Sequence, residues 1–337
     1  MQLYSANHTL QKDERGVALI IVLGLISLTT ILVTQLTYSA TLDMRLHLMA
    51  KRSLEAEYLL KSAVNLGRAL IKEDTSPEDA YQDTWAQFRD GLEIPRELLQ
   101  VEDPSVRVEL EIRPEESKIP IRSLLSGRSA NSRWRDVFAR LFQKLGFDED
   151  EEEDQTGLFP GRVFKADELV ANLIDYMDPD SDPYQVDDFA QGIESESLKD
   201  AFPNRPIRWL GELNGVPGFT TNRIRLMQPF LTTFGSGRRV NINLAPRAVL
   251  ESLHPEIGTE EVDAILAFRE EQPFDNTNRK TELGLIIGES TYDDITTMIT
   301  VESRWFQLLA KVDYGASSSF MRAYVVQGNS GELPILR

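Results

Sequence analysis

From Gly16 to Leu42 the chain carries no charged residue, and the run VALIIVLGLISLTTILV within it is apolar apart from Ser27, Thr29 and Thr30. A helix needs about 20 predominantly apolar residues to cross ~30 Å of hydrocarbon, and residues 17–38 supply them. A buried core helix of a soluble fold seldom stays charge-free for so long. A secretory signal peptide has a shorter apolar region followed by a small-residue cleavage site, for which Ser39-Ala40 is a weak match. The reading is therefore a retained membrane anchor. Its orientation does not follow from charge, because Lys12 and Arg15 precede the span while Arg45, Lys51 and Arg52 follow it.

The helical pattern continues beyond the bilayer length. Leu42, Leu46, Met49, Ser53, Ala56, Leu60, Ala63, Gly67 and Leu70 recur at alternating spacings of four and three, a narrow seam of period 3.5. Nothing breaks it until Glu73-Asp74-Thr75-Ser76-Pro77. One long helix is expected, its first half in lipid and its second half packed on a folded domain. Ser53, Ala56, Ala63 and Gly67 suit the close approach of another backbone or a sheet.

The 337 residues allow about two domains. A formal charge of −18 opposes binding to phosphate backbones. With no cysteine there is no disulfide, thiolate nucleophile or cysteine-ligated zinc. The histidines, His8, His47 and His254, are too scattered for a metal triad or a relay. No G-x-S-x-G, H-E-x-x-H or Walker glycine loop occurs, so no enzymatic activity is expected.

Strand and helix patterns follow the anchor. SVRVELEIR at 105–113 alternates Val106, Val108, Leu110 and Ile112 on one face, predicting a half-buried strand. Residues 305–312 and 320–327 predict two more, joined around Gly315. An antiparallel sheet of these three would lie against residues 64–71 of the long helix. Between them a mostly helical region is expected. Residues 132–145 are amphipathic, with Trp134, Phe138, Leu141, Phe142 and Leu145 on one side. Residues 165–177 predict another helix, and 211–232 two short ones around Gly215-Val216-Pro217-Gly218. The acidic run 148–154 reads as a solvated loop, and Trp134, Trp209 and Trp305 read as core.

Two constellations have chemical content. Asp175, Asp178, Asp180, Asp182 and Asp187 crowd one turn, and carboxylates at alternate positions can converge on a hard cation such as calcium. The turn is not an EF-hand, since Pro183 and Phe189 stand where that loop requires Gly and Glu. An acidic surface turn with Asx caps explains the same residues. The second constellation, NINLAPRAVLESLHPEIGTEEVDAILAFR at 241–269, looks like a helix-hairpin-helix module, which elsewhere grips phosphate. Here the hairpin holds four acids and no lysine, so nucleic acid is not an expected partner. His254 reads as a turn or packing residue.

A glycine after a short charged leader, then an apolar and an amphipathic half-helix, resembles a type IV prepilin. The resemblance implies cleavage by a prepilin peptidase between Gly16 and Val17, and methylation of the new N-terminus at Val17. Ile21 stands at the fifth mature position, where most pilins carry a Glu that neutralises a neighbouring subunit's amine. That omission, the chain length, Phe202-Pro203-Asn204-Arg205-Pro206, Gly211-Glu212-Leu213-Asn214-Gly215-Val216-Pro217-Gly218 and Val240-Asn241-Ile242-Asn243-Leu244-Ala245 together resemble the K-type minor pseudopilins of type II secretion systems. Lys118–Leu124 departs from the Asn-x-Asn-x-Leu strand end that relatives often show. The implied fold is α+β and pilin-like: a long transmembrane-plus-amphipathic helix on an antiparallel sheet, interrupted by a large helical insertion with helix-hairpin-helix elements. The implied divisions begin with a leader (1–16), a transmembrane half-helix (17–39) and an amphipathic half-helix (40–72). A first stretch of the pilin-like sheet domain (73–113), the insertion (114–300) and a second stretch of the sheet domain (301–337) follow. The resemblance also implies I-type and J-type minor pseudopilin partners and other secretion components, calcium in the insertion, and single-pass residence in the inner membrane with a periplasmic C-terminal domain. A membrane-anchored DNA-uptake receptor and a minor pilin of a type IV pilus are the alternatives.

Overall fold

In a computed structural model of the chain the described residues are 14–327, except 196, 199, 236 and 316, together with 335 and 336; for Glu14, Arg15, 335 and 336 the backbone alone is described. Residues 1–13, most of the expected leader, lie outside them. The chain divides into two compact units, residues 1–59 and 60–337.

Helix α1 (Glu14–Glu73) is a single uninterrupted helix of 60 residues. Among the described residues it is the one helix long and apolar enough to cross a membrane. The hydroxyls of Ser27, Thr29, Thr30, Thr34, Thr37 and Thr41 each donate to the carbonyl one turn back, at 2.8–3.0 Å. No polar hydrogen of that stripe therefore needs a partner from the surroundings. In the first unit every residue from 16 to 55 is exposed, including the seam residues Leu42, Leu46, Met49 and Ser53.

The second unit contains the last turns of α1. Leu60, Ala63, Val64, Gly67 and Ile71 are buried there. The buried stripe ends on Ile71 rather than Leu70, because a straight helix of 3.6 residues per turn drifts from a period of 3.5.

The chain continues through β1 (Leu92–Glu93), a short helix α2 (Arg96–Leu99), β2 (Val106–Pro114), and three two-residue strands, β3 (Ile119–Pro120), β4 (Leu125–Ser126) and β5 (Ser129–Ala130). Helices α3 (Ser132–Lys144), α4 (Ala166–Met177) and α5 (Thr221–Met227) lead to β6 (Leu231–Thr232) and β7 (Val240–Asn241). Then come α6 (Arg247–Leu253), α7 (Thr259–Glu271), α8 (Arg279–Ile287), α9 (Glu289–Ile295) and β8 (Ile299–Thr300). The long strands β9 (Trp305–Tyr314) and β10 (Ser317–Val326) follow, and β11 (Ile335–Leu336) adds an edge.

The main sheet has the order β1-β2-β9-β10-β11 and is antiparallel throughout. Leu110 stands opposite Ala310 and Ile112 opposite Leu308, so the apolar alternation of β2 meets that of β9 on one face. Gly67 of α1 lies on this face. A Cβ there would sit 3.1 Å from one Leu308 methyl and 3.3 Å from a Leu110 methyl. Glycine is what lets helix and sheet approach this closely. The β9–β10 hairpin is tighter than expected: it turns at Gly315, with φ +65°, and β10 starts at Ser317. Residues 317–319 are all serine, which carries no apolar alternation.

Residues between β2 and β9 form a largely helical region with its own core. Parallel pairs tie each of its ends to its middle, Ile119 to Leu231 and Ile299 to Val240. Asn241 and Asn243 are buried; Asn243 both donates to the Phe274 carbonyl and accepts from the Phe274 N–H, at 2.9 Å each. Arg269 donates to the carbonyls of Ile242 and Ala245 at 3.0 and 2.8 Å. The Val240–Ala245 motif is thus a structural joint.

Two expectations are overturned. Trp209 is 64% exposed rather than in the core. The acidic run 148–154 is not a free solvated loop, because its side chains satisfy folded donors: Asp148 accepts from the Ala166 N–H at the start of α4, and Asp154 is buried.

Candidate functional site

Gly16, Val17 and Ile21 all lie inside α1, and the helix runs through the expected cleavage junction without a break. Val17 and Ile21 are 59% and 58% exposed, and nothing stands within 4 Å of where a Gly16 Cβ would be. No geometry beyond helix and exposure distinguishes these positions.

The acidic turn after α4 has more structure. Asp175, in the last turns of α4, is fully buried, and its carboxylate accepts the N–H groups of Tyr184 (2.6 Å) and Glu194 (2.7 Å). Any side chain at residue 192 would collide with that carboxylate, which explains Gly192. Asp175 is a brace for the turn, and both its oxygens are engaged. Burial raises its pKa, opposed by the N–H groups of Glu194, Tyr184 and Ile193.

Asp178, Asp180 and Glu194 instead bring one carboxylate oxygen each within 4.8 Å of one another. Asp178 caps the C-terminal end of α4, where the helix dipole favours a cation. Asp178 Oδ1 and Glu194 Oε2 are buried without a hydrogen-bond partner, as is Asn204 Oδ1. Burial, with Asp180, Asp175 and Glu194 nearby, pushes Asp178 up to about 8. Burial likewise raises Glu194, opposed by a hydrogen bond from Asn204. Buried carboxylates facing one another without a counter-charge are costly, and a hard divalent cation with oxygen ligands removes that cost. The residues present fit calcium on this ground.

The group that the fold brings together is not the five carboxylates expected from sequence. Asp178 and Asp180 belong to it; Asp175 is committed to backbone donors, and Asp182 and Asp187 are not drawn into the group. Asp182 instead donates its N–H to Asp180 Oδ1 at 3.2 Å, and Asp187 is exposed with φ +51°. Glu194 and Asn204 were missed, since spacing along the turn does not reveal residues that return to it. Asn204 donates to Glu194 Oε1 at 3.0 Å and to the Asp180 carbonyl. Its place within Pro203-Asn204-Arg205-Pro206 was the available signal.

A second acidic group, Asp74, Asp79 and Asp83, is already supplied with donors from Ser76, Ala80, Trp85 and Ser303. It has no orphaned oxygen of the kind seen at Asp178 and Glu194.

In both hairpins the groups that a phosphate would use already have internal partners. At the start of α7 the Gly258 N–H donates to Glu261 of its own helix at 2.9 Å. In the Gly215–Gly218 hairpin the Gly218 N–H donates to Asp154 Oδ1 at 2.8 Å. Nearby, fully buried Arg223 pairs with Asp150, and Thr220 donates to Glu152. The chain's own carboxylates therefore occupy the amides and the cation that a phosphate would use. Burial opposes ionisation of Asp154, but donors from Thr156, Gly218 and Phe159 hold its pKa below the ordinary value. His254 accepts the Glu256 N–H at 3.2 Å, a turn contact.

Residues 117–236 and 240–302 match two family models, both described as type II secretion system (T2SS), protein K, and together these cover more than half the chain. The chain belongs to the type II secretion system protein K family. A curated relative from Escherichia coli (strain K12), described as a putative type II secretion system protein K, is 24% identical over 239 residues, 70% of this chain and 67% of the relative. Among solved structures, the GspK-GspI-GspJ complex from the enterotoxigenic Escherichia coli type 2 secretion system matches with a TM-score of 0.62. That match has 15% identity and covers 85% of this chain and 96% of the other. It is a likeness of fold, and the α+β pilin-like architecture expected from sequence is the one observed. Both family models fall in the region between β2 and β9, so the protein K signature lies in the insertion.

Proposed function

We propose that this chain is the K-type minor pseudopilin of a type II secretion system and that it helps initiate the pseudopilus and caps its tip. The observation that carries this is a protein K insertion in a chain whose N-terminal half-helix is apolar and exposed along its whole length. In this reading α1 anchors the protein once in the inner membrane, with everything after the span in the periplasm. Prepilin peptidase cleaves after Gly16, and Val17 becomes the methylated N-terminus. Ile21 in place of Glu leaves no charge for a neighbouring subunit's amine, which suits a subunit with nothing above it. The seam of α1 from Leu42 to Ser53 is exposed and suits packing against the helices of I-type and J-type partners. The role is one of assembly, with no catalytic step.

Calcium would be held by Asp178, Asp180 and Glu194, with Asn204 Oδ1 beside them. When bound it supplies positive charge and pins residues 178–206 to the end of α4. The chain itself holds three carboxylates in place, through the Asp175 brace and the Asn204 amide. A DNA-receptor reading is disfavoured, because both hairpins are filled by internal carboxylates.

The test is the intact mass of the protein extracted from membranes. A chain starting at methylated Val17 supports the reading. A chain cut near Ala40 would make it a secreted protein and overturn it.

A further inference from the structure

The chain leaves the sheet at the end of β2 and returns to it at the start of β9, and both passages meet at one neck. The returning segment, residues 301–305, lies between two carboxylates from elsewhere in the chain. Asp79, which is buried and follows α1, donates its N–H to the Val301 carbonyl at 2.8 Å and accepts the Ser303 N–H on Oδ2 at 2.6 Å. Its own carbonyl accepts from Asn241, whose amide also bonds Ser303 Oγ, both at about 3 Å. From the outgoing passage, half-buried Glu116 accepts the Trp305 N–H on Oε2 at 3.1 Å. Glu116 therefore ties the returning passage to the outgoing one, and Asp79 ties it to the segment after α1.

The groups facing these two are mostly acids. Asp74 and Asp83 face Asp79 from the segment after α1, and Glu116 faces it from the end of β2. Glu115 faces Glu116, and is itself paired with Lys118 at 2.9 Å. Arg239, Arg304 and Glu302 line a cleft of about 230 Å³ beside Glu116. Among the described residues neither Asp79 nor Glu116 has an ion pair with any of these cations.

We propose that Asp79 and Glu116 form a proton-dependent clasp that holds the insertion's return segment onto the sheet. An ionised Asp79 would be buried, and an ionised Glu116 half-buried, beside other acids, and the few N–H donors that each accepts do not offset that cost. Burial, tempered by the Ser303 N–H and reinforced by Asp74, Asp83 and Glu116, pushes Asp79 up to about 8. Burial, tempered by the N–H groups of Trp305 and Arg304, pushes Glu116 up to about 7. In an opened neck both would be wet and return to the ordinary carboxylate range. Protons thus bind the closed form more tightly, and the closed form loses its advantage as pH rises toward those values.

The test is hydrogen exchange of the full-length protein in detergent, with calcium held constant, from about pH 6 to about pH 9. Protection factors of residues 301–305, corrected for intrinsic exchange, should fall with rising pH by about tenfold per unit for each carboxylate still protonated in the closed form, and level off above about pH 8. The fall should be confined to that segment while the centre of β9 stays protected. Asp79→Asn with Glu116→Gln should flatten the profile. A flat wild-type profile overturns the proposal, as does a loss spread over the whole sheet or an unchanged slope in the double variant. Should that variant fail to fold, the wild-type profile decides alone, by its slope and its confinement to the neck.

Discussion

Asp154 shows how a single carboxylate can replace a ligand. It binds the Gly218 amide from within the acidic run and is the chain's own stand-in for a phosphate. Asp154→Asn should lower stability by about 1–3 kcal/mol, the cost of leaving buried donors poorly satisfied, read as a shift in the denaturant midpoint. Nothing in the run Asp148–Asp154 advertises this, because the donors come from residues 166, 218 and 223. The cation group is a parallel case. Composition located the turn and two of its carboxylates, Asp178 and Asp180. It could not tell Asp175, a brace for backbone amides, from a ligand, nor bring Glu194 and Asn204 back to the turn. Calcium at about 100 times its Kd should stabilise the protein by about 2.7 kcal/mol. Glu194→Gln should remove most of that gain, measured as the calcium-dependent shift in Tm; an unchanged shift would reject the assigned ligand.

At the scale of elements, the periodic signals were legible because packing reads them directly. The alternation in β2, the face of α3 and the long α1 all follow from one face being buried and the other not. What escaped were elements fixed by tertiary pairing. The three serines that open β10 are strand residues because β9 pairs with them, and the two-residue strands β3, β6, β7 and β8 have no local signature. Trp209 was expected in the core on the apolarity of its neighbours, yet it is exposed. The α1–sheet contact gives a sharp test. Gly67→Leu must displace Leu308 and Leu110, and should cost about 1–3 kcal/mol as overpacking. Thermal unfolding of the purified protein should show a lowered Tm; an unchanged Tm would mean that helix and sheet do not pack this closely.

At the scale of the molecule, stability should depend on pH in two opposing ways. Asp79 and Glu116 have raised values in the folded state, so their contribution is fully present below the ordinary carboxylate range and is lost as pH rises toward about 8 and about 7. Asp154 has a lowered value, so its contribution is present above that range and lost as pH falls. Denaturant midpoints should therefore peak on the acid side of neutrality, and a midpoint that rises steadily to pH 8 and beyond would contradict the assignment.

In the proposed role this chain is the K-type subunit of a tip complex. Co-expression of the full chain with its I-type and J-type pseudopilins, followed by detergent extraction and purification on a tag carried by this chain alone, tests it most directly. A complex containing all three chains is the predicted result. Recovery of this chain alone, with both partners folded and present at micromolar concentration, would contradict the account.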